Sequence, residues 1–211
     1  SNFTVMDKYG NVISQTQTIR NWWGSGVVIP GRGFIMNNAM ADFSAKAGVR
    51  TTQGLAYGMA NAIRPGKTPL SSMSPTIVMK EGKPVLSVGA AGGPRIITST
   101  LQLIINNLDY GMMMDSAVKH PHMCCLTLNQ GLELEEGFSP DTIKLLAAKG
   151  HIIKNTTDFG ELLVMPNGIR NIDGTFFPGG TSRVDGGGGA LTASGTMAID
   201  GLCFIDEKLT K

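Results

Sequence analysis

The sequence predicts an α+β fold in which sheets and helices form separate layers. β-rich segments recur along the chain and outnumber the helical ones, and two segments begin with residues that cap helices. The chain has 211 residues, of which 42% are hydrophobic, and this is enough to bury a core of its own. We therefore expect one compact unit of mixed sheet and helix.

Two hairpins are predicted in the first half of the chain. Residues 3–7 and 12–19 are β-rich and flank Lys8-Tyr9-Gly10-Asn11, in which Gly and Asn suit the positive φ angles of a tight turn. Residues 75–79 and 84–88 repeat this arrangement around Glu81-Gly82-Lys83. The N-terminal segment is therefore expected to lie within a sheet.

Two helices are predicted from the residues at their ends. Gly92-Gly93-Pro94 precedes an apolar, periodic run over residues 96–108, which indicates a strand, a glycine turn and a helix in succession. Ser139-Pro140-Asp141 begins the second helix with a typical N-cap residue, a proline and an acid, and Gly150 ends it.

The C-terminal third of the chain is predicted to be less regular. Residues 151–155 and 161–165 are expected to be strands, with a turn at residues 166–168. A glycine-rich stretch between residues 179 and 189 indicates a loop. The sequence thus predicts a core over residues 1–180, followed by a glycine-rich loop and C-terminal tail over residues 181–211.

Charge and hydropathy exclude some classes of partner. A net charge of +2 with 16% charged residues provides no basic surface for nucleic acid. The longest apolar runs are too short and too polar to span a bilayer, and the sequence as written opens without a signal peptide. We expect a soluble chain that does not bind nucleic acid.

Four residues could take part in chemistry. The backbone N–H groups of Gly92 and Gly93, at a helix start, could hold a phosphate or an oxyanion, or the turn could be only a tight connection. A P-loop is disfavoured because no Gly-Lys-Ser/Thr follows. Ser71 and Ser72 could donate to a carboxylate or could be ordinary turn residues.

A metal site is not expected. His120, His122, Cys124 and Cys125 lie within six residues, but structural zinc sites space paired ligands by two to four residues and need a second pair elsewhere. With three cysteines in all, no disulfide framework is predictable either. We therefore predict no metal and no cofactor.

The order and spacing of these segments resemble the small, C-terminal subunit of the γ-glutamyltranspeptidases over residues 1 to about 180. The specific part is the Pro-Leu-Ser-Ser-Met segment followed by the Gly-Gly turn. The matching segments are Val5-Met6-Asp7-Lys8-Tyr9-Gly10-Asn11, Thr16-Gln17-Thr18-Ile19, Gly33-Phe34-Ile35-Met36-Asn37-Asn38, Asp42-Phe43-Ser44, residues 64–76 and Gly89-Ala90-Ala91-Gly92-Gly93.

The resemblance implies a four-layer αββα sandwich of the N-terminal-nucleophile hydrolase type, completed by a separate large subunit. Both subunits would come from one precursor that cuts itself, giving a heterodimer or a dimer of heterodimers that acts on a small-molecule amide. In this family the new N-terminal threonine is the nucleophile and its own α-amine is the base. The resemblance favours a periplasmic or secreted location and leaves a cytoplasmic one open.

The resemblance also assigns roles to individual residues. Thr18 would orient the nucleophile, although a threonine in a strand can also be only a β-former. Gly92 and Gly93 would supply the oxyanion N–H groups, and Ser71 and Ser72 would hold the substrate carboxylate. The catalytic mechanism would then not need any of the histidines.

The chain departs from the family at the nucleophile. Counted back from Gly10, Ser1 falls on the residue after the catalytic threonine of the family. Either Ser1 has taken over as the nucleophile, or the nucleophile is a threonine that precedes it. The second alternative is favoured because a shift by one residue in a strand turns the side chain to the opposite face.

A second departure concerns the acyl donor. In the family, an asparagine, a glutamate and an aspartate grip the α-amino group of the donor, and here these positions are Arg20, Ala39 and Asp42. An arginine in place of a neutral amide weakens an ammonium site and could favour a second carboxylate, unless Arg20 is only a solvated charge.

The sequence thus predicts an amidohydrolase or acyltransferase that works through an acyl-enzyme, on a donor without a free α-amino group. Three alternatives stay open: a true γ-glutamyltransferase, or glutathione hydrolase; a catalytically silent relative that only binds a ligand; and a domain that binds a nucleotide at the glycine turn.

Overall fold

The computed structural model describes residues 1–51, 55–127, 131–154, 164–183, 187–191 and 197–200. Within them, no helix is long and apolar enough to cross a membrane. Strands and helices alternate in blocks, which confirms the α+β prediction. In chain order the elements are β1 (Asn2–Met6), β2 (Val12–Thr16), β3 (Thr76–Lys80), β4 (Lys83–Ala91), α1 (Ile96–Leu108), α2 (Met114–Lys119), β5 (Met123–Cys124), β6 (Glu133–Leu134), α3 (Pro140–Ala148), β7 (Met165–Ile172), β8 (Thr175–Gly180), β9 (Gly188–Leu191) and β10 (Met197–Asp200).

β1 and β2 form the predicted N-terminal hairpin. They pair antiparallel from Met6–Val12 at the turn to Asn2–Thr16 at the open end. Asp7 closes the turn, because one of its carboxylate oxygens accepts from the amides of Tyr9 and Asn11 at 2.8 and 2.9 Å. The predicted strand over residues 12–19 is shorter in the structure, since β2 ends at Thr16.

The central sheet has four antiparallel strands in the order β3-β4-β7-β8. The turn predicted at residues 166–168 is wrong, because these residues lie inside β7 and pair with β4. Gly168 is needed there, since a Cβ would lie 2.8 Å from the Ser87 carbonyl oxygen and 2.9 Å from the Met114 side chain. Gly168 does not form a turn; the absence of a side chain lets a helix pack closely on the strand.

α1 and α2 cover one face of this sheet and make the main core with it. Leu86 and Val88 of β4 pack with Leu103 of α1 and with Met114 and Val118 of α2, all fully buried. The predicted helix over residues 96–108 is confirmed, and a 3₁₀ turn at Gly93–Arg95 precedes it. The short helix α2 was not predicted.

α3 begins as the sequence predicts. Ser139 is its N-cap residue and accepts a hydrogen bond from the Thr142 amide at 3.1 Å, and Pro140 is the first helical residue. Gly150, just beyond the end of α3, has φ 91°. This conformation favours glycine and ends the helix.

The β1–β2 hairpin covers the opposite face of the central sheet. Asn2 packs against Gly89 so closely that a Cβ on this glycine would lie 2.3 Å from the Asn2 side chain. Asn167 of β7 donates to the Asn2 carbonyl at 3.0 Å, and Ser14 donates to the Val88 carbonyl at 3.1 Å. The described residues thus form three of the four expected layers: helices, central sheet and hairpin.

The other face of the hairpin carries apolar side chains that the described residues leave about half exposed. Phe3, Val5 and Ile13 point away from the central sheet and are 46%, 50% and 52% exposed. Apolar side chains that alternate along one face of a strand are typical of a buried sheet face.

The C-terminal third differs in part from the prediction. Residues 151–154 do not form a strand; Ile153 makes only an isolated bridge with Leu132. Residue 155, which ends the first predicted strand, lies outside the described residues, and so do residues 161–163 of the second predicted strand. Part of the predicted glycine-rich loop forms the β9–β10 pair, and residues 201–211 are not described. The division of the chain at residue 180 stays a prediction.

Candidate active site

The register of the β1–β2 hairpin fixes what lies opposite Thr18. The ladder continues one pair beyond the two strands, because the Ser1 nitrogen donates to the Gln17 carbonyl and the Gln17 amide donates to the Ser1 carbonyl, both at 2.8 Å. The next position on the amino side of Ser1 is therefore in register with Thr18. By the alternation of strands, that position shares a face with Asn2, Thr16 and the central sheet.

Ser1 itself lies on the other face of the hairpin. It is exposed and is paired with Gln17, and its side chain falls on the same side as those of Phe3 and Val5.

The Gly92–Gly93 turn begins directly after β4. Gly92 has φ 142° and Gly93 has φ 61°, two successive conformations that side-chain-bearing residues rarely adopt. Neither amide donates a hydrogen bond to another described residue. The turn therefore presents two N–H groups at the start of the 3₁₀ turn, an arrangement suited to a developing negative charge.

Ser71 and Ser72 lie beside this turn. Ser72 donates its hydroxyl to the Gly93 carbonyl at 2.8 Å, which joins the serine segment to the glycine turn. The Ser71 hydroxyl accepts from the Met73 amide at 3.1 Å and keeps its proton for another acceptor. The structure thus brings three of the predicted residues together: Ser71, Ser72 and Gly93.

Arg20 and Asp42 form an ion pair. Arg20 Nε donates to Asp42 Oδ1 at 2.7 Å, and the two side chains are 22% and 37% exposed. The Arg20 amide donates to Thr18 Oγ1 at 2.8 Å. Tyr57 lies near the pair: its burial and the charge of Asp42 raise its pKa, and Arg20 partly offsets this shift. Thr18, Arg20 and Asp42 are therefore neighbours, and their roles in the reaction stay predictions.

Asn61 joins these two groups of residues, and the sequence interpretation did not single it out. It is buried, its amide donates to the Asp42 carbonyl at 2.7 Å, and its side-chain oxygen accepts from the Leu70 amide at 2.9 Å. Leu70 directly precedes the two serines. The only signal in the sequence was the position of this asparagine between two matching segments.

Two further features lie outside this group of residues. The segment considered for a metal does not gather its ligands: His122 and Cys124 are buried, Cys125 is exposed, and no cluster of three or more His, Cys, Asp or Glu side chains occurs among the described residues. A cavity of about 280 Å³ lies along the free edge of β1, between Ser1 and Gly188. Its lining does not include Thr18, the two serines or the glycine turn, so this cavity is separate from the predicted site.

Comparison with known proteins gives consistent results. The γ-glutamyltranspeptidase family profile matches residues 1–187. A glutathione hydrolase proenzyme of Escherichia coli is 45% identical over 171 residues, which are 80% of this chain and 30% of that protein. An acylase ACY 1 proenzyme of a Pseudomonas species is 36% identical over 203 residues, which are 95% of this chain and 33% of that protein.

A solved structure has the same fold. A mutant γ-glutamyltranspeptidase of Helicobacter pylori superposes with a TM-score of 0.78 at 39% identity, covering 87% of this chain and 99% of that one. The chain spans about a third of the length of the curated relatives that it matches. Since the family profile covers most of the sequence and the same fold is found in a solved member, the chain belongs to the γ-glutamyltranspeptidase family.

Proposed function

We propose that this chain belongs to the subunit that carries the nucleophile of an amidohydrolase or acyltransferase working through an acyl-enzyme, and that the chain itself provides the oxyanion site and the carboxylate site. The observation that carries the proposal is the hairpin register. It aligns the position before Ser1 with Thr18, on the face of β1 that packs against β4, and the Gly92–Gly93 turn directly follows β4.

The proposed reaction has two steps. The hydroxyl of the N-terminal residue attacks the amide carbonyl of the donor, the α-amine of the same residue takes the hydroxyl proton, and the Gly92 and Gly93 amides stabilise the oxyanion. The C–N bond then breaks and the proton passes to the leaving amine. Water, or an acceptor amine, attacks the resulting ester and regenerates the hydroxyl.

The nucleophile is proposed to be the residue that precedes Ser1 in the complete precursor. Ser1 is the alternative, but its side chain would have to reach the glycine turn from the opposite face of β1. Thr18 is proposed to accept a hydrogen bond from the nucleophile or donate one to it. Ser71 and Ser72 are proposed to hold the carboxylate of the donor, for which Ser72 would redirect the proton that it gives to the Gly93 carbonyl in this structure.

A large subunit from the same precursor is proposed as the partner. The relatives named proenzymes are about three times as long as this chain. The described residues leave the apolar side chains on the outer face of the hairpin about half exposed, and Trp22 and Trp23 are 88% and 75% exposed. A helical layer of the large subunit on this face would complete the four-layer sandwich and close the site over the glycine turn.

Mass spectrometry of the intact, purified two-subunit enzyme tests the nucleophile. The small subunit is measured before and after reaction with a glutamine-like diazoketone and with a p-nitrophenyl ester of glutaric acid, and the modified peptide is then sequenced. We expect one adduct on the N-terminal residue, and the subunit mass tells whether that residue is Ser1 or one that precedes it.

Other results would favour the alternatives. An adduct on an internal residue, or none with either reagent on a fully assembled enzyme, would contradict the proposed reaction and favour a relative that only binds a ligand. Rapid reaction with the diazoketone alone would favour a true γ-glutamyltransferase or glutathione hydrolase, and the second of these is the name of the Escherichia coli relative.

A further inference from the structure

The guanidinium of Arg20 is held from three sides within the chain. Besides the Asp42 contact at 2.7 Å, its Nη1 donates to Asn21 Oδ1 at 3.1 Å and its Nη2 to the Ala41 carbonyl at 3.2 Å. The backbone of Arg20 adopts φ 75°, which costs energy for a residue with a side chain. Its position is therefore set by the surrounding structure, as is common at functional sites.

Asp42 is correspondingly occupied. Its carboxylate pairs with Arg20, and its carbonyl accepts from Asn61 at 2.7 Å. A series of hydrogen bonds runs from Thr18, through Asp42 and Asn61, to the serine segment and the glycine turn. Among the described residues of this series, Asp42 carries the only carboxylate. An incoming ammonium would have to share this carboxylate with a guanidinium that already neutralises its charge and is held by several hydrogen bonds.

The remaining groups of the site suit an anion. The Ser71 hydroxyl and the amides of Gly92 and Gly93 are donors, and the Arg20–Asp42 pair has no net charge. A donor carboxylate can accept from the Ser71 hydroxyl while the glycine amides serve the oxyanion, whereas an α-ammonium on the same donor would lose its water without gaining an unpaired carboxylate.

We infer that Arg20 determines the donor specificity by neutralising Asp42, so that the enzyme prefers monoamides of simple dicarboxylic acids, such as glutaric acid, over γ-glutamyl amides. This inference rests on the proposed function. Arg20 thus pairs with a carboxylate of the protein itself. The sequence-based expectation was that Arg20 would pair with a second carboxylate of the substrate.

A matched pair of substrates tests the inference. Glutaryl-p-nitroanilide and γ-L-glutamyl-p-nitroanilide differ only in the α-amino group, and kcat/KM is measured for both with the complete, processed enzyme. We expect the wild-type enzyme to prefer the glutaryl substrate by at least about tenfold. In Arg20→Asn, which frees Asp42, this preference should fall by about 10- to 100-fold, the usual range for a hydrogen bond to a charged group.

Two control variants separate charge from pairing. Arg20→Lys keeps a cation beside Asp42 and should retain most of the preference. Arg32→Asn removes an exposed cation from the same loop and should leave the ratio as in the wild-type enzyme. A wild-type preference for the γ-glutamyl substrate, or an unchanged ratio in Arg20→Asn, would overturn the inference.

Calorimetric binding of glutarate and L-glutamate to the same proteins separates this inference from the proposed reaction. If neither anilide is cleaved but glutarate binds at least about tenfold more tightly than L-glutamate, and Arg20→Asn removes this difference, the specificity inference holds and the proposed reaction fails. If glutarate does not bind better, the specificity inference fails, whatever the activity.

Discussion

The carboxamide of Asn61 connects two segments that carry the candidate site. One side of the amide donates to the Asp42 carbonyl and the other accepts from the Leu70 amide. Both contacts are short and the side chain is 8% exposed, so each lost partner would leave a buried polar group unsatisfied. We consider Asn61 a positioning residue, because it acts on the site through Asp42 and the serine segment.

The variant Asn61→Asp should therefore weaken substrate binding more than chemistry. The new carboxylate keeps the acceptor for Leu70 but repels the Asp42 carbonyl, so the two segments should separate. We expect KM for the preferred donor to rise about tenfold, which corresponds to the loss of one buried hydrogen bond, and kcat to change less. Steady-state kinetics of the processed enzyme measure both.

Asn171 provides a matched control for this variant. Its side chain also bridges two backbone groups, the Pro84 carbonyl and the Gly174 amide, both at 2.9 Å, but at the opposite end of β4 from the glycine turn. Asn171→Asp should lower the melting temperature without raising KM. Equal changes of KM in the two variants would mean that Asn61 has only a structural role.

At the scale of elements, a buried ion pair joins the short β5–β6 sheet to the segment after β8. Arg183 Nη2 and Glu135 Oε2 are 2.5 Å apart and both side chains are fully buried. Burial alone would raise the pKa of Glu135, but the hydrogen bonds from Arg183 and from the His122 amide lower it overall. The His122 ring lies beside this pair and has no hydrogen-bond partner among the described residues.

This arrangement predicts a loss of stability in mild acid. Burial, and then the charge of Arg183, lower the pKa of His122 from 6.5 to about 4, so the unfolded chain binds a proton that the folded chain excludes. The contribution of neutral His122 is complete above pH 6.5 and is lost as the pH falls toward 4. The shift of the pKa corresponds to about 3 kcal/mol.

Melting temperatures of the assembled enzyme between pH 7 and pH 4.5 measure this effect. The melting temperature should fall over this interval, and the fall should be smaller in His122→Leu. His151→Gln, at an exposed histidine, should behave like the wild-type enzyme. If His122→Leu loses stability with falling pH as steeply as the wild-type enzyme, the protonation of His122 is not the cause.

At the scale of the whole molecule, the part of the chain that the structure describes forms three layers and does not cover the outer face of the hairpin. Phe3, Val5 and Ile13 on that face are each about half exposed. In a free chain this exposed apolar area would promote association with other molecules. Its burial by a large subunit is the proposed explanation.

A charge on this face should impair assembly. We expect Ile13→Lys to reduce the yield of processed two-subunit enzyme, because a lysine in the centre of an apolar interface must lose its hydration. Leu145→Lys, on the exposed side of α3, is the control and should assemble normally. Precursor and subunits are quantified after size-exclusion chromatography. Normal assembly of both variants would place the partner elsewhere.

The sequence by itself determined the local structure and the family. The turn at Gly10, the cap at Ser139 and the glycine turn after β4 depend on residues close together in the chain, so their patterns were sufficient. The resemblance selected Thr18, Arg20, Asp42, Ser71 and Ser72 together, because the family retains the order of these segments.

The tertiary structure decided the features that depend on distant residues. Gly168 lies inside a strand because α2 packs on it, and no local pattern distinguishes this from a turn. The hairpin register places Ser1 opposite Gln17, and the pairing of Arg20 with Asp42 and the bridge made by Asn61 join segments about 20 residues apart. Such contacts depend on the folding of the whole chain, since burial and charge pairing are not encoded in the spacing of residues.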